Sequence, residues 1–100
     1  MKISYSSNKL EKQLIDPRLL KKVYGRLAPR INDVLDELIV AETLDDIPEA
    51  PPDRRHKMTN VPYTWSIDLN KNYRMWVRSE GENDPKFVTV VEIVEILDDH

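Results

Sequence analysis

Three short stretches hold most of this chain's chemically versatile side chains: Arg54-Arg55-His56-Lys57, the alternating Arg74, Trp76 and Arg78, and the closing Asp98-Asp99-His100. Guanidinium and ammonium groups neutralise charge that builds up on phosphorus, an imidazole exchanges protons near neutral pH, and an indole stacks on a base. Together these types fit the binding and cutting of a phosphodiester. Each also has a plainer use. Basic residues in a loop are usually a solvated surface, alternating charges on a strand are usually its wet face, and tryptophan packs cores. A terminal histidine is usually frayed. Residue types alone therefore stop at a basic sheet face.

Composition narrows the chemistry by exclusion. The chain has no cysteine, so disulfide frameworks, thiolate metal sites and cysteine nucleophiles are ruled out. His56 and His100 are the only histidines, too few for an all-histidine zinc site. The carboxylates are scattered, and neither a metal nor a cofactor is implied. No apolar run reaches the roughly 18–20 residues that span a bilayer, and Met1-Lys2-Ile3 does not open a signal peptide. The expectation is one cytoplasmic domain over residues 1–100 with no membrane partner.

Charge is strongly segregated along the chain. The balance is +6 over residues 1–30, −8 over 31–53, +5 over 54–78 and −6 over 79–100, for a net −3. The 54–78 block can still form a local basic patch on a mildly acidic protein.

Apolar spacing predicts the elements that must position these residues. Lys2 to Tyr5 alternates as a short strand. Ser6-Ser7-Asn8 offers caps for a brief helix with Leu10 and Leu14 facing inward. Asp16-Pro17 starts a longer helix reaching about Ala41, with apolar residues at 20, 23, 27, 31, 34 and 38 and a kink or break near Pro29. Thr43 with Leu44-Asp45-Asp46 reads as a capped short turn, and Pro48, Pro51 and Pro52 stiffen the connection beyond it. From Tyr63 the period becomes two. Tyr63 to Leu69, Tyr73 to Arg78 and Phe87 to about Leu97 read as strands, joined by a turn at Asn70-Lys71-Asn72 and a polar loop over 80–85. The fold class is α+β, a small antiparallel sheet with two N-terminal helices packed on one face.

These stretches are also where the chain resembles a known family. Trp65-Ser66-Ile67, Asn70-Lys71-Asn72-Tyr73-Arg74-Met75 and Glu95-Ile96-Leu97-Asp98-Asp99-His100 resemble the HigB branch (plasmid maintenance killer family) of the RelE/ParE toxin superfamily of type II toxin–antitoxin modules. In that branch a basic, often histidine-containing segment precedes Trp-Ser-Ile, and the chain ends Val-Glu-Ile-x-Asp-Tyr-His. Ala41-Glu42-Thr43-Leu44-Asp45-Asp46-Ile47 is similar to the segment after the family's long helix.

The resemblance implies ribosome-dependent mRNA cleavage that inhibits translation, by attack of a ribose 2′-hydroxyl on the adjacent phosphate. Such a metal-independent endoribonuclease needs a base, an acid and a cation. Carried over by position, the catalytic set is His56, Arg74, Asp98 and His100, with Arg74 facing the phosphorane. Arg54, Arg55, Lys57, Trp76 and Arg78 would hold RNA. The partners implied are the ribosome and mRNA, and a cognate helix-turn-helix antitoxin. Asp99 stands where the family has tyrosine, and two other outcomes stay open beside cleavage. A ParE-like toxin would bind gyrase without catalytic groups, and a catalytically weakened relative would keep the sheet face as a protein interface.

Overall fold

The structure, a computed structural model, describes residues 1–98. Strand β1 (Lys2–Tyr5) is followed by helices α1 (Asn8–Ile15), α2 (Pro17–Tyr24) and α3 (Ala28–Val40). After a long connection come β2 (His56–Lys57), β3 (Thr64–Asp68), β4 (Tyr73–Arg78) and β5 (Val90–Asp98).

The helices begin where the sequence offers caps. The Ser7 hydroxyl accepts from the Leu10 N–H at 3.1 Å, and the Asp16 carboxylate accepts from Arg18 at 2.9 Å. Pro17 follows at the start of α2, where a missing N–H leaves no bond unmade. The expected long helix is in fact two. It breaks at Gly25, whose φ of +55° and ψ of −122° end α2 and lead into a 3₁₀ turn over Gly25–Leu27. Pro29 then lies in the first turn of α3 rather than inside a helix, so it causes neither kink nor break. On α3 the buried residues Ala28, Ile31, Val34, Leu35 and Leu38 form the stripe anticipated from spacing.

The five strands form one sheet in the order β1-β5-β4-β3-β2. It is mixed, not antiparallel as expected: β1 runs parallel to β5, pairing Ile3 with Val91 and Tyr5 with Ile93, while every other pair is antiparallel. A chain that crosses through helices between two strands can lay them parallel, and strand spacing alone does not reveal this. β5 begins at Val90 because Asp84 caps a 3₁₀ turn over Pro85–Phe87, which leaves Phe87 outside the sheet. A bulge between Trp76 and Val77 leaves Val94 without a cross-strand partner, and its carbonyl accepts from the Ser6 hydroxyl at 2.6 Å.

Alternation then sorts the side chains. Trp65, Ile67, Met75, Val77, Val91 and Ile93 are buried in one cluster with Leu10 and Leu14 of α1, Leu20 of α2 and Ile31, Val34 and Leu38 of α3, so all three helices pack on one side of the sheet. The other face carries no helix among the described residues. It displays Thr64, Ser66 and Asp68 from β3, Arg74, Trp76 and Arg78 from β4, and Glu92 and Glu95 from β5.

Candidate functional site

Register sets the open face out in cross-strand rows. His56 pairs with Ser66, Ser66 with Trp76, and Trp76 with Glu95. On one side of this row Asp68 pairs with Arg74; on the other Thr64 pairs with Arg78, and Arg78 with Glu92. Neighbours in such rows stand about 5 Å apart at Cβ, so the side chains interact directly. Thr64 and Ser66 are buried although no helix covers them.

Asp68 ties the face together. Its Oδ1 accepts from Arg74 Nε at 3.0 Å, and its Oδ2 lies 3.3 Å from a terminal nitrogen of Arg54. Arg74 is held further by the turn it follows, donating to the carbonyls of Asn70 at 2.7 Å, Tyr73 at 3.0 Å and Lys71 at 3.3 Å. Arg54 is the reachable partner, with 60% of its side chain exposed against 14% for Arg74. The imidazole of His56 is exposed, its Nδ1 3.3 Å from the Arg54 carbonyl. Arg78 pairs with Glu92. The Trp76 Nε1 is buried with no hydrogen-bond partner among the described residues.

Arg54 and Arg55 part company although adjacent. Arg54 has φ +44°, in the left-handed region, and the turn around it is closed by bonds from Arg54 N–H to the Ala50 carbonyl and Arg55 N–H to the Pro48 carbonyl. Arg54 reaches the open face, whereas Arg55 is buried, donating from Nε to the Ile47 carbonyl at 2.7 Å with Asp45 at 3.6 Å and Glu49 at 3.9 Å. Lys57 is exposed at the sheet edge, its Nζ 5.6 Å from the centre of the core ring Trp65.

The structure thus gathers His56, Arg54, Arg74, Trp76 and Arg78 of the expected site residues on one face. It places Arg55 inside and Lys57 in register with Trp65, on the helix-side alternation. Asp98 pairs with Tyr73, so it shares Tyr73's side of the sheet and not that of Arg74. His100, like Asp99, lies outside the described residues.

Two features escaped the sequence reading. One is Asp68, the single acid in the 54–78 block, whose alternation with Ser66 was the available signal. The other is a half-buried cluster that joins α3 to the long connection and the end of β3. Arg30 donates to Asp53 at 2.7 Å and to the Asp68 carbonyl at 2.9 Å, with Glu37 at 3.8 Å. The Glu37 carboxyl is raised to about 7 by its hydrogen bond with Asp53, by burial and by the charges of Asp53 and Asp33, against the opposing pull of Arg30. Arg30, Asp33 and Glu37 stand at helical spacing on α3, but Asp53 comes from the distant connection, and no spacing pattern signals their meeting.

Among the described residues no three His, Asp or Glu side chains cluster to hold a metal ion, and no helix is long and apolar enough to cross a membrane. No family model matches the chain. No curated protein matches it. A solved structure does: a YoeB/ParE toxin from Agrobacterium tumefaciens, with a TM-score of 0.63 and 15% identity over 100% of each chain. Over its whole length the chain therefore has a RelE/ParE-like toxin fold.

Proposed function

We propose that this protein is the toxin of a two-component toxin–antitoxin module, of the HigB type, that cleaves translated mRNA on the ribosome. The observation that carries this is the helix-free sheet face, on which His56, Trp76, Arg54 and Arg78 stand together. In the reaction the ribose 2′-oxygen bonds to phosphorus and the bond to the 5′-oxygen breaks. The products are a cyclic phosphate and a 5′-hydroxyl. A base takes the 2′-hydroxyl proton and an acid delivers one to the leaving oxygen. The exposed His56 imidazole fills one of these roles, and His100 the other. Trp76 offers a ring surface to a base, and Arg54 and Arg78 offer cations to the backbone. Arg74, by position the arginine that faces the phosphorane, has its plane fixed by Asp68 and the turn carbonyls. The partner in the cell is a helix-turn-helix antitoxin.

One observation favours a second reading. Arg74, Arg54 and Arg78 are each paired with a carboxylate on the same face, which leaves little net positive charge for a polyanion. A gyrase-binding toxin, or a relative that has lost cleavage and kept the face as a protein interface, has less need of free cations.

Induction of wild type and of His56→Ala in a bacterial host separates these readings. Because His56 is exposed, the substitution leaves the fold intact. Cleavage predicts growth arrest with new 5′ ends inside translated regions for wild type, and about 100-fold fewer for His56→Ala. Arrest by both proteins without new 5′ ends points to the protein target.

A further inference from the structure

We propose that Asp68 is an internal counter-ion occupying a two-arginine anion site, and that this site takes an RNA phosphodiester once the carboxylate is neutralised. The inference rests on the reading of the open face as an RNA surface and adds how that surface is restrained.

The geometry is that of a bound anion. Each Asp68 oxygen has its own guanidinium, Arg74 on Oδ1 at 3.0 Å and Arg54 on Oδ2 at 3.3 Å. A phosphodiester presents two non-bridging oxygens sharing one negative charge, and arginine forks bind carboxylate and phosphate alike. Asp68 needs no special loop to sit there, because register places it directly opposite Arg74. Arg54 does need one, and the left-handed backbone at φ +44° accompanies its placement on this face. The carboxylate is mostly shielded, its side chain 11% exposed, whereas Arg54 is 60% exposed and open to an incoming strand. Arg78 and Glu92 are more solvated, at 45% and 31%, and form a surface pair rather than a built site. A phosphate approaching Arg54 in the native protein meets the negative charge of Asp68 behind it. That repulsion holds down the affinity of the face for polyanions.

The test is binding of a single-stranded 2′-O-methyl oligoribonucleotide, which cannot be cut through a 2′-hydroxyl, by the full chain and by Asp68→Asn and Asp68→Ser. Both neutral variants should bind about tenfold tighter than wild type. Their logarithmic salt dependence should steepen by about 0.7 for each further phosphate neutralised. Adding Arg54→Ala to Asp68→Asn should remove the whole gain. Folded neutral variants that bind no tighter overturn the proposal, and so does a gain that survives Arg54→Ala or leaves the salt slope unchanged. If circular dichroism shows both neutral variants unfolded, Asp68 is a structural ion-pair member and the proposal falls. The outcome is independent of cleavage. Wild type that cuts message alongside an Asp68→Asn protein with unchanged binding sinks the counter-ion alone. Tighter binding by Asp68→Asn without new 5′ ends from wild type sinks the cleavage reading alone.

Discussion

A single guanidinium can serve a reaction and hold a turn, and Arg74 illustrates how the two are separated. Its contacts with Asp68, Asn70, Tyr73 and Lys71 make it the clamp of the β3–β4 turn. Arg74→Ala would strip the shielded Asp68 of its better-held partner and leave turn carbonyls unpaired. Such losses cost about 2–3 kcal/mol. For a domain of this size that is a fall of about 8–24 °C in Tm, measurable by thermal unfolding. Arg74→Lys should recover little, because an ammonium cannot span a carboxylate and several carbonyls at once. An unchanged Tm for Arg74→Ala would show that the turn holds itself. Loss of toxicity on Arg74→Ala therefore speaks to catalysis only when stability is measured beside it, and His56 is the cleaner probe. The sequence showed which side chains share a strand face, since Arg74, Trp76 and Arg78 alternate visibly. It did not show that Arg54 and Arg55 diverge, because that depends on one backbone angle in a proline-bounded loop.

Elements are tied to one another here by polar groups as well as by the core. Arg30 on α3 grips Asp53 in the long connection and the Asp68 and Leu69 carbonyls at the end of β3. Glu37, two turns further along the same face of α3, completes the cluster by hydrogen bonding Asp53, and its carboxyl is raised from 4.5 to about 7. A raised folded-state value means the native protein holds this proton more tightly than the unfolded chain. The associated stability is fully present below about pH 4.5 and is lost as pH rises through about 7. Glu37 is 39% exposed, so solvent screening reduces the effect to about 1 kcal/mol. Urea midpoints should therefore fall between about pH 5 and about pH 8 in wild type, and the Glu37 contribution should vanish in Glu37→Gln, whose amide still donates to Asp53 without titrating. Equal pH dependence in the two proteins would remove Glu37 as the source. The α2–α3 break makes a second prediction at this scale. A Cβ on Gly25 would meet nothing within 4 Å, so any penalty comes from the φ of +55° itself. Gly25→Ala should cost about 1–3 kcal/mol by chemical denaturation, and a neutral result would mean the break relaxes freely. Helical periodicity ran straight through Gly25, which is why spacing suggested one long helix with a kink or break near Pro29.

Across the whole molecule, folding undoes the charge segregation of the sequence. The acidic 31–53 block supplies partners to Arg30 before it and Arg55 after it, and Glu92 from the last block pairs with Arg78. The blocks were plain in the sequence, but their pairing was not, since it depends on contacts between distant segments. The same holds for the sheet. Apolar alternation exposed β3, β4 and β5, whereas the two-residue β2 is too short to alternate and the direction of β1 depends on the helical crossover. That crossover matters to the molecule because β1 turns β5 into an interior strand. β5 is nine residues long and rich in Val and Ile, and at a sheet edge it would be a template for pairing with other chains. Ile3 stands opposite Val91 with its side chain packed on the core, while Ser4 faces the open side opposite Glu92. Ile3→Lys should therefore cost about 2–3 kcal/mol and release β1, giving concentration-dependent association in sedimentation velocity. Ser4→Gln, one residue away on the other face, should stay within about 0.5 kcal/mol of wild type and remain unassociated. If the two variants are equally stable and equally dispersed, β1 does not seal the sheet, and the parallel pairing with β5 is not what protects this fold from itself.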